Sequence, residues 1–277
     1  MALSEMSSSS IHLDRAVEGF LRRDRHAVVG ALILLTALAW GYLVLLAGEM
    51  GMTLSGGMEQ IQSMMAPRPW TTLDAIFMFS MWAVMMVGMM TPSATPMILL
   101  YAMVLRKSAK TDSPLIPTAA FFAGYVAVWS GFSAAATGAQ WGLERATLLS
   151  PMMISTSTVF AGTVLIVAGV YQWTPYKNVC LARCREPVWF LSRMWRDGTR
   201  GAFRMGLVHG AFCLGCCWLL MALLFVGGVM NLLSVAAITV FVMVEKVAPF
   251  GRGFGRATAL GLVALGVFMI VLGNGYH

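Results

Sequence analysis

Gly206-Leu207-Val208-His209-Gly210-Ala211-Phe212-Cys213-Leu214-Gly215-Cys216-Cys217-Trp218 lies within an apolar run from 203 to 228. About 20 mostly apolar residues suffice to cross a bilayer, so the run reads as a membrane span. On a helix turning about 100° per residue, with His209 at zero, Cys213 falls near 40°, Cys216 near −20° and Cys217 near 80°. One imidazole and three thiols therefore share one face, with Cys213 expected near mid-membrane. Nitrogen and sulfur donors suit copper(I), zinc or an iron centre. The competing reading is packing, because free cysteine also serves as a small apolar filler. Gly206 and Gly210 make a small-xxx-small step that lets a neighbouring backbone approach.

Working outward, six further runs reach span length: roughly 27–47, 73–104, 117–138, 157–174, 231–248 and 257–274. The chain is 58% hydrophobic and 11% charged, with mean hydropathy +0.76. Soluble domains carry about 25% charged residues, and disordered chains are less hydrophobic; both classes are excluded. The expected fold is an all-α polytopic membrane helical bundle of about seven transmembrane helices. Residues 1–26 form a polar, basic cytoplasmic segment and 27–277 a single transmembrane domain. Nothing in this pattern fixes an oligomeric state.

The net charge of +7 is explained by topology. With the N-terminus inside, seventeen Lys and Arg residues fall on the cytoplasmic side and only Arg68 and Arg145 outside. Cytoplasmic loops carry such an excess. The orientation expected is N-terminus cytoplasmic and C-terminus outside, in a bacterial inner membrane, and no nucleic-acid partner is needed. Asn231 is expected to cap the short outer turn before 231–248.

Methionine is the compositional anomaly, at 23 residues against 15 phenylalanines. In 73–104, Met81, Met85 and Met89 follow Met78 along a stripe about 80° wide, at the depth expected for Cys213. Thioether is a ligand selective for copper(I), and it is also a versatile core filler. Pro92 and Pro96 in the same run lack amide protons, so the carbonyls of Gly88 and Pro92 lose their helical partners and a kink is expected there. The outer loop 48–72 carries Met50, Met52, Met58, Met64 and Met65, an arrangement suited to soft-metal capture or to lying on the membrane. The inner loop carries Cys180 and Cys184, a second station for metal or thiol exchange, whose flanking Arg and Lys should favour thiolate. Glu245-Lys246 closes the sixth run, as an interfacial ion pair with a snorkelling lysine or as a charged gate.

Met81-Trp-Ala-Val-Met-Met-Val-Gly-Met-Met-Thr-Pro, Gly169-Val-Tyr-Gln-Trp-Thr-Pro-Tyr-Lys with Cys180, Cys184 and Pro187, the His209 to Cys217 run, Gly228-Val-Met-Asn and Glu245-Lys246 occur in this order. Together they resemble the bacterial family of predicted metal-binding integral membrane proteins, over about residues 73–250. The resemblance implies metal binding, and no catalytic role is carried over from it. From the residues, the leading function is copper(I) handling, by transport or by delivery to a membrane cuproenzyme or metallochaperone partner. Outer methionines would gather the ion, the Met81/Met85/Met89 stripe and the His209/Cys213/Cys216/Cys217 face would hold it, and Cys180/Cys184 would exchange it inside. The alternatives are a thiol-disulfide oxidoreductase working with quinone, a haem- or iron-binding protein using His209, and a structural assembly subunit.

Overall fold

The computed structural model describes residues 26–48, 70–107, 114–150, 153 and 155–273. The segment before His26 and the outer methionines Met50, Met52, Met58, Met64 and Met65 lie outside the described residues. Among the described residues there is no sheet, only an isolated bridge between Leu149 and Ser155. The helices are α1 (His26–Gly48), α2 (Thr72–Lys107), α3 (Leu115–Arg145), α4 (Thr158–Tyr171), α5 (Pro175–Arg185), α6 (Pro187–Met194), α7 (Gly198–Ala222), the one-turn α8 (Leu224–Gly227), α9 (Leu232–Val247) and α10 (Gly251–Gly273).

Five helical stretches have the length and hydropathy of a membrane span: His26–Gly48, Thr72–Lys107, Leu115–Arg145, Gly198–Gly227 and Gly253–Leu272. The other two expected spans are helices of 14 and 16 residues, about 21 and 24 Å long at 1.5 Å per residue, short of a core of about 30 Å. Proline sets both ends. Thr174 is extended (ψ 145°), as a residue before proline must be, and its side chain caps α5 by accepting from the Lys177 amide. Ala248, before Pro249, is likewise extended (ψ 142°). The Asn231 side chain caps α9 as expected, accepting from the Leu233 and Ser234 amides at 3.0 and 3.3 Å.

Lipid offers no hydrophobic drive between helices, so close packing has to supply it. The most extensive contact joins α3 and α7, and glycines make it. A methyl group on Gly206 would overlap the Phe121 carbonyl, and one on Gly124 would overlap the Phe203 carbonyl and lie 2.9 Å from the Leu207 amide. The small-xxx-small step thus brings the α3 backbone beside His209. Gly162 and Gly266 do the same between α4 and α10. Helix α9 packs chiefly on α2 and α10. Large apolar side chains point outward along the long helices, among them Leu34, Leu38 and Leu45 of α1 and Leu260, Phe268 and Val271 of α10, as a lipid-facing surface requires.

Helix α2 runs without a break through Pro92 and Pro96. The Gly88 carbonyl, deprived of its partner by Pro92, accepts from the Trp40 indole of α1 at 3.3 Å. A side chain at position 88 would crowd Ala39 at 3.1 Å, so glycine is what lets α1 reach that carbonyl.

Gly206→Ala is expected to lose about 1–3 kcal/mol through overpacking. Gly131→Ala, on α3 with open space around it, is expected to change little. Thermal unfolding in detergent measures both.

Candidate functional site

On α7, His209, Cys213, Cys216 and Cys217 are all buried. Helical geometry alone puts them on one face, and Tyr125 of α3 reaches its Cys213. Cys216 and Cys217 both donate to the Cys213 carbonyl, at 3.0 and 2.9 Å. The Cys213 sulfur accepts from the Lys246 ammonium at 2.9 Å and meets the Tyr125 hydroxyl at 3.1 Å. Lys246 also reaches the Cys217 sulfur at 4.0 Å and the Ser93 hydroxyl at 3.3 Å. The Tyr125 hydroxyl lies 3.2 Å from the Met90 carbonyl, so elements α2, α3, α7 and α9 meet at one sulfur.

Cys180 and Cys184 join this group. They lie beside the α7 thiols in space. On α5, Lys177, Cys180, Leu181 and Cys184 fall within an arc of about 100°, and that face packs on α7. Cys180 Sγ lies over Gly215, where an added methyl would meet it at 2.7 Å. The Cys184 side chain interacts with those of Cys213 and Cys216. The five cysteines are all free thiols. The flanking arginines do not promote thiolate here. Burial pushes the Cys180 thiol up, and hydrogen bonding to Cys213 and Cys216, followed by burial, pushes Cys184 up. The guanidinium groups point elsewhere: Arg183 stacks on Trp189 at 3.4 Å, and Arg185 donates to the carbonyls of Glu245 and Ala248 at 2.6 and 2.8 Å.

Glu245 and Lys246, adjacent in sequence, serve different partners. Glu245 pairs with Lys177, one carboxylate oxygen at 2.7 Å and the other also at 2.7 Å, with both side chains almost fully buried at 1% and 3% exposure. Lys177 donates to Gln172 as well. Lys177 and Tyr125 escape a sequence reading. Lys177 stands in an Arg-rich polar stretch where burial has no local signature, and Tyr125 is one aromatic among many in an apolar run. The available clue was Glu245, an acid in an apolar helix that needs a cation.

His209 sits among rings, with centroids of Phe190, Tyr125 and Phe121 at 5.5, 5.7 and 6.0 Å. Its Nδ1 is buried without a partner. Met81, Met85 and Met89 are buried, as are Met86 and Met90. Near the other end of the stripe, Gln140 donates to the Met78 sulfur at 3.6 Å and to Glu144 at 2.9 Å, while accepting from the Trp82 indole at 2.8 Å. Among the described residues, no group of three or more His, Cys, Asp or Glu side chains is spaced to enclose a metal ion. The thiols of α7 turn to the Cys213 carbonyl, and an ammonium occupies the approach to the Cys213 sulfur.

The model of the PpoB2 family, described as copper chaperone, matches residues 79–269. Neither the comparison with curated proteins nor that with solved structures finds a match. The matched region takes in α2 through most of α10 and every cysteine, and the chain belongs to this copper chaperone family.

Tyr125→Phe removes the hydroxyl between Met90 and Cys213. It is expected to destabilise the protein by about 1–3 kcal/mol, the cost of leaving buried polar atoms unsatisfied, as read by thermal unfolding in detergent.

Proposed function

We propose that the protein is a membrane-embedded copper(I) chaperone that carries its ion on the thiols gathered between α5 and α7 and delivers it to a membrane cuproenzyme. The observation that carries this reading is the convergence of the half-buried Cys180 and Cys184 on the buried Cys213, Cys216 and Cys217. Five soft donors from two helices exceed what packing asks of small apolar fillers, and thiolate selects copper(I) over harder cations. Copper is the cargo here. His209, with its unpartnered Nδ1, is a further donor on the same helix face, and Met81, Met85 and Met89 give the ion a thioether-lined approach. Met50, Met52, Met58, Met64 and Met65 would collect it on the outer side.

Two cations cannot share the Cys213 sulfur. Loading therefore requires the Lys246 ammonium to withdraw, and its reach to Ser93 gives it a place to go. Lys246 is in this sense the gate. Glu245, committed to Lys177, holds the gate's helix in register. The charge distribution supports a seven-pass arrangement with the N-terminus inside a bacterial inner membrane, the shorter α4 and α9 completing the count within the bundle.

The test is competition for copper(I) between a chromophoric chelator and protein purified without oxygen in detergent. Wild type is expected to bind stoichiometrically. Cys213→Ser/Cys216→Ser is expected to lose more affinity than the roughly 10–100-fold caused by outer-sphere changes at metal sites. Equal, weak binding by both forms would contradict the proposal.

A further inference from the structure

Helix α5 has only 11 residues, three of them Lys or Arg. A helix that short is marginal by itself, and only one face of it packs on α7. To that packing is added a pair of anchors, one at each end. At its first turn Lys177 grips the Glu245 carboxylate. At its last residue Arg185 donates to the Glu245 and Ala248 carbonyls. Both anchors close on the C-terminal turn of α9. Cys180 and Cys184 lie between them, on the face that Lys177 shares.

The anchoring chemistry is informative. A buried ion pair contributes little net stability, because desolvation offsets the attraction, and well-packed apolar residues would hold the helix at least as firmly. Removing one partner, in contrast, leaves a buried charge and frees the other end. Such a contact is poor as glue and good as a fastening with two states. The neighbouring position gives the same turn a second task, because Lys246 reaches the Cys213 sulfur. One turn of α9 therefore holds α5 through Glu245 and touches the α7 thiols through Lys246.

We propose that Lys177, Glu245 and Arg185 form a latch that seats the Cys184 thiol against Cys213 and Cys216, so that α5 contributes its sulfur donors only while the latch is closed. These three are positioning residues; none supplies a donor to the ion. The assignment of copper(I) as the ion rests on the function proposed above, while the seating of Cys184 does not.

The test uses the full chain in detergent, with alkylation of each cysteine by a maleimide followed by peptide mass spectrometry. The readout is the rate at Cys184 relative to Cys213 in the same molecule, which corrects for loss of fold. In Glu245→Gln and, as a milder variant, Arg185→Lys, the ratio is expected to rise by roughly tenfold or more for the first, given how strongly a broken buried pair is disfavoured, and by less for the second. An unchanged ratio, whether both thiols stay protected or both become reactive, overturns the latch. A copper(I)-chelator competition on the same proteins separates the two proposals. If the ratio rises while wild type binds no copper(I), the latch stands and the copper reading fails. If wild type binds copper(I) and the ratio does not move, the reverse holds.

Discussion

A carboxylate and an ammonium at adjacent positions, Glu245 and Lys246, are carried on one short helix into the interior of an apolar bundle. Neither charge is tolerable there without a counterpart, and successive side chains on a helix point about 100° apart, so one partner cannot serve both. Glu245 finds Lys177 on α5, and Lys246 finds the Cys213 sulfur on α7. These two contacts tie α5 and α7 to the same turn of α9. The Arg185 bonds to the end of α9 complete the same joint from the other side.

The rest of the bundle makes that joint affordable. Glycines at 124 and 206 let α3 and α7 approach until backbone meets backbone. The methionines of α2 fill the neighbouring space. Their flexible, polarisable chains adapt to an irregular surface.

The helices were legible in the sequence because span length and proline punctuation are local properties. Residues 73–104 and 117–138 became α2 and α3 with modest extensions, and Asn231 capped α9 as its chemistry required. The His209 to Cys217 face was legible because 3.6-residue periodicity fixes it. The inner cysteines were not. Cys180 and Cys184 sit in an arginine-rich stretch, and charge alone placed them at the membrane surface with activated thiols. They lie on a helix whose Lys177 meets Glu245, 68 positions away, a contact no local pattern encodes. For the same reason Glu245-Lys246 read as one pair when it is two. Among the described residues the count of span-length helices also fell, from seven to five, because the helices in 157–174 and 231–248 have only 14 and 16 residues.

The central claim is that the ion rests on the thiols shared by α5 and α7. Copper K-edge X-ray absorption on the copper(I)-loaded protein tests it most directly. A low-coordinate first shell dominated by sulfur, and altered when Cys213 and Cys216 are replaced by serine, is the result expected. A shell of nitrogen and oxygen, or a sulfur shell indifferent to those replacements, would contradict it.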